Sequence, residues 1–117
     1  GFILTPVEKG HKLVDIASDL QAEDIVLLDI RDLSAFADYF VILTTTTSRQ
    51  ARALREDMVK KFKDVGVPLN HGEGASDSGW QLLDFGDVVV HLFGEADREF
   101  YSLEELWSRA HEVVRVQ

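Results

Sequence analysis

The stretch Ser78–Phe93, SGWQLLDFGDVVVHLF, decides the fold, because two short apolar runs in it flank the segment Asp84–Asp87. The runs Trp80–Leu83 and Val88–Phe93 have the length and apolar character of β-strands. Gly86, between them, supplies the positive φ angle that tight turns need. The stretch therefore predicts a β-hairpin whose turn is Asp84–Asp87, and the open question is why both ends of the turn are acidic.

Further apolar runs on either side of this hairpin extend the predicted sheet. Ile25–Ile30 and Tyr39–Leu43 are almost wholly apolar, as in strands that are buried on both faces. Val67–His71 is at best an edge strand, because Pro68 cannot donate to a hydrogen-bond ladder. The last residues, Val113–Gln117, are expected to form either a tail or an added strand.

Three helices are indicated by apolar residues at steps of three or four, and each pattern includes a capping box. The boxes pair a Ser or Thr with a Glu or Gln three residues later: Thr5 with Glu8, Thr47 with Gln50, and Ser102 with Glu105. The apolar face of the third helix is expected to carry Leu103, Leu106, Trp107 and Ala110. The predicted order is α-β-β-α-β-β-β-α. We expect a single domain, residues 1–117, of the α/β (α+β) class, with helices on a mixed sheet of about five strands.

Composition bounds the function. The chain has 117 residues and a net charge of −9, with no cysteine, so disulfides and thiolate metal sites are excluded. No apolar run reaches the ~20 residues of a membrane helix, and no signal peptide is visible. The negative charge repels the phosphates of DNA and favours a basic protein partner, or simple solubility. We expect a cytoplasmic protein, with an organellar location as the alternative.

Asp84 and Asp87 could in principle hold Mg²⁺, which prefers hard oxygen ligands. The tripeptide Asp84–Gly86 also occurs in protein kinases, but the other kinase motifs are missing. A nucleotidyltransferase needs a Gly-Ser turn before a helix and an Asp-x-Asp pair on the next strand, and the chain has neither. A Mg²⁺-dependent enzyme using the two aspartates is therefore an alternative, and we expect no catalytic residue and no metal site.

The helix predicted over residues 48–65 carries half of the basic residues of the chain. Arg49, Arg52 and Arg55 on its outer face are the best candidates for contact with RNA, although acidic residues lie among them. Direct binding of ribosomal RNA through this helix is a second alternative. The four histidines are scattered and lack metal-ligand spacing, so His91 is expected to be a half-buried structural residue on its strand.

Trp80 is the most informative single residue. Alternation along a strand places Trp80, Leu82 and Asp84 on one face, and Gln81 and Leu83 on the other. A face that runs from tryptophan to an acidic turn suits an interface anchor. A helix that covers Trp80 in the core would explain it equally well.

Four segments together resemble the ribosomal silencing factor (Iojap) family. They are Asp38–Ile42 (DYFVI), Thr47–Gln50 (TSRQ), Gly79–His91 (GWQLLDFGDVVVH) and Arg98–Trp107 (REFYSLEELW). The likeness extends over roughly residues 8 to 110. The turn after the second strand departs from the family pattern, because residues 44–47 are all threonine where glycine is common.

The resemblance implies a translational repressor rather than an enzyme, and no cofactor. Such proteins bind the fourteenth protein of the large ribosomal subunit, block docking of the small subunit and lower translation when nutrients are short. They tend to form homodimers, and their fold is similar to that of nucleotidyltransferases without the catalytic motif. Combined with the strand pattern, the resemblance implies a partner-binding site with apolar anchors and acidic groups: Trp80, Leu82, Asp84, Phe85 and Asp87.

Overall fold

A computed structural model describes residues 3–117, with the side chains of Phe100, Glu104 and Leu106 left out of the description. A six-stranded mixed sheet has the order β3-β4-β5-β2-β1-β6. Its strands are β1 (Glu23–Asp29), β2 (Tyr39–Thr45), β3 (His71–Glu73), β4 (Trp80–Asp84), β5 (Val88–Gly94) and β6 (His111–Val116). The central strands β2 and β5 pair in parallel, and every other neighbouring pair is antiparallel.

The predicted hairpin is confirmed. The backbone N–H of Phe85 donates to the carbonyl oxygen of Val88 at 2.9 Å, and the N–H of Gly86 donates to Oδ1 of Asp84 at 2.7 Å. Gly86 has a φ of +93°, a conformation that costs glycine little. One carboxylate of the acidic turn therefore holds the turn itself together.

Two helices cover one face of the sheet: α1 (Pro6–Asp19) and α2 (Ser48–Asp64). Their buried residues, which include Leu13, Leu54 and Phe62, form the larger core with one side of the central strands. The predicted capping box of α1 is complete, with Thr5 and Glu8 bonded reciprocally. Helix α1 thus packs on the sheet with its apolar face, as the sequence pattern predicted.

The capping box at the start of α2 is only half formed. Oγ1 of Thr47 accepts from the N–H of Gln50 at 3.0 Å, as predicted. The Gln50 side chain instead accepts from the N–H of Thr46 at 2.9 Å and donates to the carbonyl oxygen of Leu20 at 3.0 Å. The side chain of Gln50 therefore links α2 to the end of α1.

The other face carries a smaller core under two short helices, α3 (Glu95–Tyr101) and α4 (Leu103–Leu106). The capping box predicted at Ser102 is wrong. Ser102 is left-handed, with a φ of +49°, and its hydroxyl donates to the carbonyl oxygen of Glu99, so it ends α3 instead of capping α4. Trp107 and Ala110 lie beyond α4 and still pack on this core.

The two edge strands differ from the prediction: β6 is the sixth strand, and β3 lies further along the chain than the predicted edge strand at 67–71. Residues 111–116 form β6, so the alternative of an added strand is confirmed, and it pairs with β1. The short β3 begins at His71 and pairs with β4 at the opposite edge. Pro68 lies outside the ladder, as its missing N–H requires.

Candidate functional site

A groove runs across the face of the sheet that α3 and α4 cover only in part. Its volume is about 480 Å³, and it lies between the segment 33–37 and the outward side chains of β2, β4 and β5. Apart from Ser34, Asp84 and His91 the lining is apolar. We call this cavity the open groove; it is lined by Leu33, Ser34, Ala35, Phe36, Ala37, Phe40, Leu82, Asp84, Val89, His91 and Trp107.

Phe36, on the rim of the open groove, is 95% exposed. Local hydrogen bonds hold its segment in place: the N–H of Ser34 donates to the carbonyl oxygen of Ile30 at 2.9 Å, and the N–H of Phe36 to Oγ of Ser34 at 3.1 Å. An exposed phenylalanine beside an apolar cavity is the pattern of a surface that another protein covers.

His91 forms part of the floor and is 4% exposed. Nε1–H of Trp80 donates to His91 Nδ1 at 3.2 Å, and because an indole nitrogen can only donate, Nδ1 must be unprotonated. The proton of the neutral ring is then on Nε2, which has no partner among the described residues. Burial lowers the pKa of His91 to about 4, so His91 is uncharged at neutral pH.

Trp80 itself is half-buried. It contacts His91 but is not among the residues that line the open groove. Its ring stacks on Phe93 at 5.1 Å between centroids and meets Tyr101 of α3 at 4.5 Å. The ring therefore packs in the smaller core, as one of the two interpretations of Trp80 required, and it also bonds to a residue of the groove. That Trp80 anchors a partner stays a prediction.

The sequence-predicted contact residues fall into separate places. Leu82 and Asp84 line the open groove, on the same face as Trp80, as alternation predicted. Phe85 is 3% exposed and packs on Phe62 with centroids 4.7 Å apart, so its side chain lies in the core. Asp87 forms an ion pair with Lys9 of α1, Nζ to Oδ2 at 2.9 Å. Of the predicted site, Leu82 and Asp84 therefore lie in the groove, Phe85 is buried in the core, and Asp87 is partly exposed but lies outside the groove.

The same geometry bears on the Mg²⁺ alternative. Asp84 borders the groove, whereas Asp87 is held by a helix on the opposite face. Among the side chains that the structure describes, which do not include Glu104, no group of three or more His, Asp or Glu could hold a metal ion. The two aspartates thus do not form the paired site that the alternative needs.

Sequence reasoning missed most of the groove wall. Phe36, Phe40 and Trp107 line it together, although they come from a loop, a strand and the end of α4. The available signal was the apolar interruption at residues 33–37 inside an otherwise polar connection. His91 was expected to be half-buried and is instead buried.

No helix among the described residues combines the length and apolar character that crossing a bilayer requires.

The chain is 38% identical over 92 residues to the "Ribosomal silencing factor RsfS" of Bacillus subtilis, covering 79% of this chain and 78% of that protein. It is 33% identical over 99 residues to the mouse "Mitochondrial assembly of ribosomal large subunit protein 1", covering 82% and 43%.

A solved structure shares the fold. A crystal structure of a protein from Chromobacterium violaceum has a TM-score of 0.85 and 31% sequence identity, covering 90% of this chain and 88% of that chain. The sequence model of the family described as "Ribosomal silencing factor during starvation" matches residues 5–117. The chain therefore belongs to the ribosomal silencing factor family.

Proposed function

We propose that the open groove binds a protein of the large ribosomal subunit, the fourteenth in the usual naming. We further propose that this chain, once it is bound to the large subunit, keeps the small subunit from docking. Translation would then fall during starvation, the condition that the description of the family names. The observation that carries the proposal is Phe36, an exposed aromatic side chain on the rim of an apolar groove. The mouse relative, named for assembly of the large subunit, supports the choice of subunit.

The groove suits a partner segment that is both apolar and basic. Leu82, Phe36 and Trp107 offer apolar contact area, which supplies most of the affinity. Asp84 at the rim offers a carboxylate to a lysine or arginine of the partner, which sets orientation. We propose that the other three predicted residues support the groove without contacting the partner. Trp80 holds His91 in place, Phe85 packs in the core, and Asp87 forms its ion pair with Lys9.

This division of roles makes Trp80→Ala a poor test, because the ring packs on Phe93 and Tyr101. Phe36→Ser is sharper, since a side chain that is 95% exposed contributes little to folding. We expect Phe36→Ser to weaken binding to purified large subunits by at least ~2 kcal/mol, the cost of losing an interface anchor. Co-sedimentation of the variant with large subunits measures the loss.

Ile3→Ser is the matched control, because Ile3 is also a large apolar residue, 88% exposed, and lies outside the groove. It should bind as the unmodified protein does. Normal binding by both Phe36→Ser and Leu82→Glu would remove the groove from the interface. If the protein bound large subunits but let small subunits join them at the usual rate, the blocking step would be wrong.

The proposed function involves no catalysis. It requires that the protein be in a compartment that contains ribosomes. We expect a bacterial cytoplasm, because the chain is similar to a bacterial protein from Bacillus subtilis. The mouse relative, which is named as a mitochondrial protein, keeps an organelle as the alternative. The homodimer that the family resemblance implies stays a prediction. Sedimentation equilibrium of the purified protein, alone and with large subunits, tests whether a dimer forms and survives binding.

A further inference from the structure

Gln81 of β4 is a buried amide that the docking groove does not use. Alternation turns it, with Leu83, towards the α2 side of the sheet, and it is 2% exposed. Neither Oε1 nor Nε2 has a hydrogen-bond partner among the described residues. Since buried amides in native proteins are nearly always paired, a donor and an acceptor side by side without partners require an explanation.

A cavity of about 250 Å³ adjoins Gln81 at the beginning of α2. A water molecule has a share of about 30 Å³ in the liquid, so the cavity has room for more than one bridging water. Hydroxyl-bearing residues make up much of its wall: Thr45, Thr46, Thr47, Ser48 and Ser76. Hydroxyl groups thus share the wall with apolar groups, among them Trp80 and Leu92, and the cavity lies against a side chain whose hydrogen bonds are unmade.

We propose that this cavity binds a small neutral molecule with a nucleobase-like edge, a free nucleobase or nucleoside. The carboxamide of Gln81 carries an acceptor beside a donor, and both atoms are covered in this structure, so the side chain would turn into the cavity on binding. An amide so turned pairs bidentately with a base edge, as glutamine does with adenine. The threonine and serine hydroxyls supply further hydrogen bonds around the ring.

Size and charge narrow the class of ligand. A cavity of about 250 Å³ is smaller than the ~300–1,000 Å³ pockets of drug-sized ligands, which suits a base better than a nucleotide. The carboxylate-bearing Asp77 is part of the wall, which disfavours a phosphate, and the net charge of −9 disfavours an RNA strand. A free, uncharged ligand is what remains.

The cavity and the open groove share no lining residue, although Trp80 in the wall of the cavity donates a hydrogen bond to His91 of the groove. The proposal therefore does not depend on ribosome binding, and the test needs only the purified chain. We would titrate ¹⁵N-labelled protein with adenosine, guanosine, cytidine and uridine separately, at millimolar concentration. The side-chain NH₂ signals of Gln81 report contact directly.

We expect at least one nucleoside to shift the Gln81 NH₂ signals and the backbone signals of Thr46 and Ser48, with saturation. Gln81→Met should weaken that binding on the order of tenfold, the effect of losing a pair of neutral hydrogen bonds. Gln117→Met, at the exposed C-terminal residue, is the matched control and should bind normally. Gln81→Met should also melt no lower than the unmodified protein, because it removes an unpaired buried amide.

Three results would overturn the proposal. One is the absence of any saturable Gln81 shift with all four nucleosides. Another is a shift produced by inorganic phosphate or by a short single-stranded RNA but by no nucleoside. The third is a markedly lower melting temperature for Gln81→Met, which would mean that structural waters already satisfy the amide.

Discussion

His91 shows how a single residue is controlled by its neighbours on the sheet. It lies opposite Leu82 on β4 and accepts a hydrogen bond from Trp80, while the edge of Phe40 meets its ring at 4.7 Å between centroids. No carboxylate of the described residues accepts its Nε2 proton. A charged imidazolium would therefore be buried without compensation, which is why the neutral form prevails.

This environment predicts acid sensitivity of folding. The pKa of His91 is about 4 in the folded chain and 6.5 in the unfolded chain, so between those values the unfolded state binds one more proton. The contribution of His91 to stability is complete above pH 6.5 and is lost as the pH falls towards 4. A shift of this size corresponds to about 3 kcal/mol.

Urea unfolding between pH 4 and pH 7 measures the effect as a difference between variants. His91→Leu should show a flatter dependence of unfolding free energy on pH than the unmodified protein. His111→Gln, at an exposed position on β6, should keep the original slope. Equal slopes for His91→Leu and the unmodified protein would show that His91 is not the group responsible.

At the scale of elements, α1 lies very close to the sheet because of Gly10. A Cβ atom added there would lie 2.6 Å from Cδ1 of Leu27, a side chain of β1 that is itself fully buried. Glycine in a helix interior costs about 1 kcal/mol relative to alanine. The close approach of helix and strand thus outweighs helix propensity at this position.

Gly10→Ala is expected to lower the free energy of unfolding by about 1 kcal/mol, since overpacking a core costs ~1–3 kcal/mol and the propensity gain offsets part of it. Leu27→Val shortens the opposing side chain. If the clash is the cause, the double variant should be more stable than the sum of the two single effects predicts. Additive effects in urea unfolding would contradict this account of Gly10.

At the scale of the whole molecule, the two faces of the sheet are covered unequally. Helices α1 and α2 seal one face, while the short α3 and α4 leave the open groove on the other. The net charge of −9 gives the whole surface a field that attracts basic partners. In the proposed complex, charge would govern the rate of encounter and the apolar groove the lifetime.

Salt should therefore slow association more than it speeds dissociation. We expect the association rate with large subunits to fall on the order of tenfold between about 50 and 500 mM salt, because steering is screened. Stopped-flow or surface-based kinetics measure both rates. Arg49→Gln with Arg52→Gln serves as the comparison: if that pair lowered affinity strongly, contact of α2 with RNA would be favoured over contact of the groove with protein.

The sequence by itself determined the hairpin at Asp84–Asp87, the start of α1, the alternation along β4 and the family. These features depend on neighbours within a few residues: a glycine where φ is positive, a capping pair, side chains that alternate with period two. Local chemistry of this kind can be read directly from the order of residues.

Only the tertiary structure decided which side of β4 is accessible and what surrounds it. Alternation places Trp80, Leu82 and Asp84 on one face but does not say which helices cover that face. How far that face is covered depends on where the connecting segments cross the sheet. Ser102 shows this dependence: α3 precedes it directly, so Ser102 ends a helix instead of starting one. The groove joins residues from a loop, three strands and the end of a helix, and the pairing of distant strands is what brings them together.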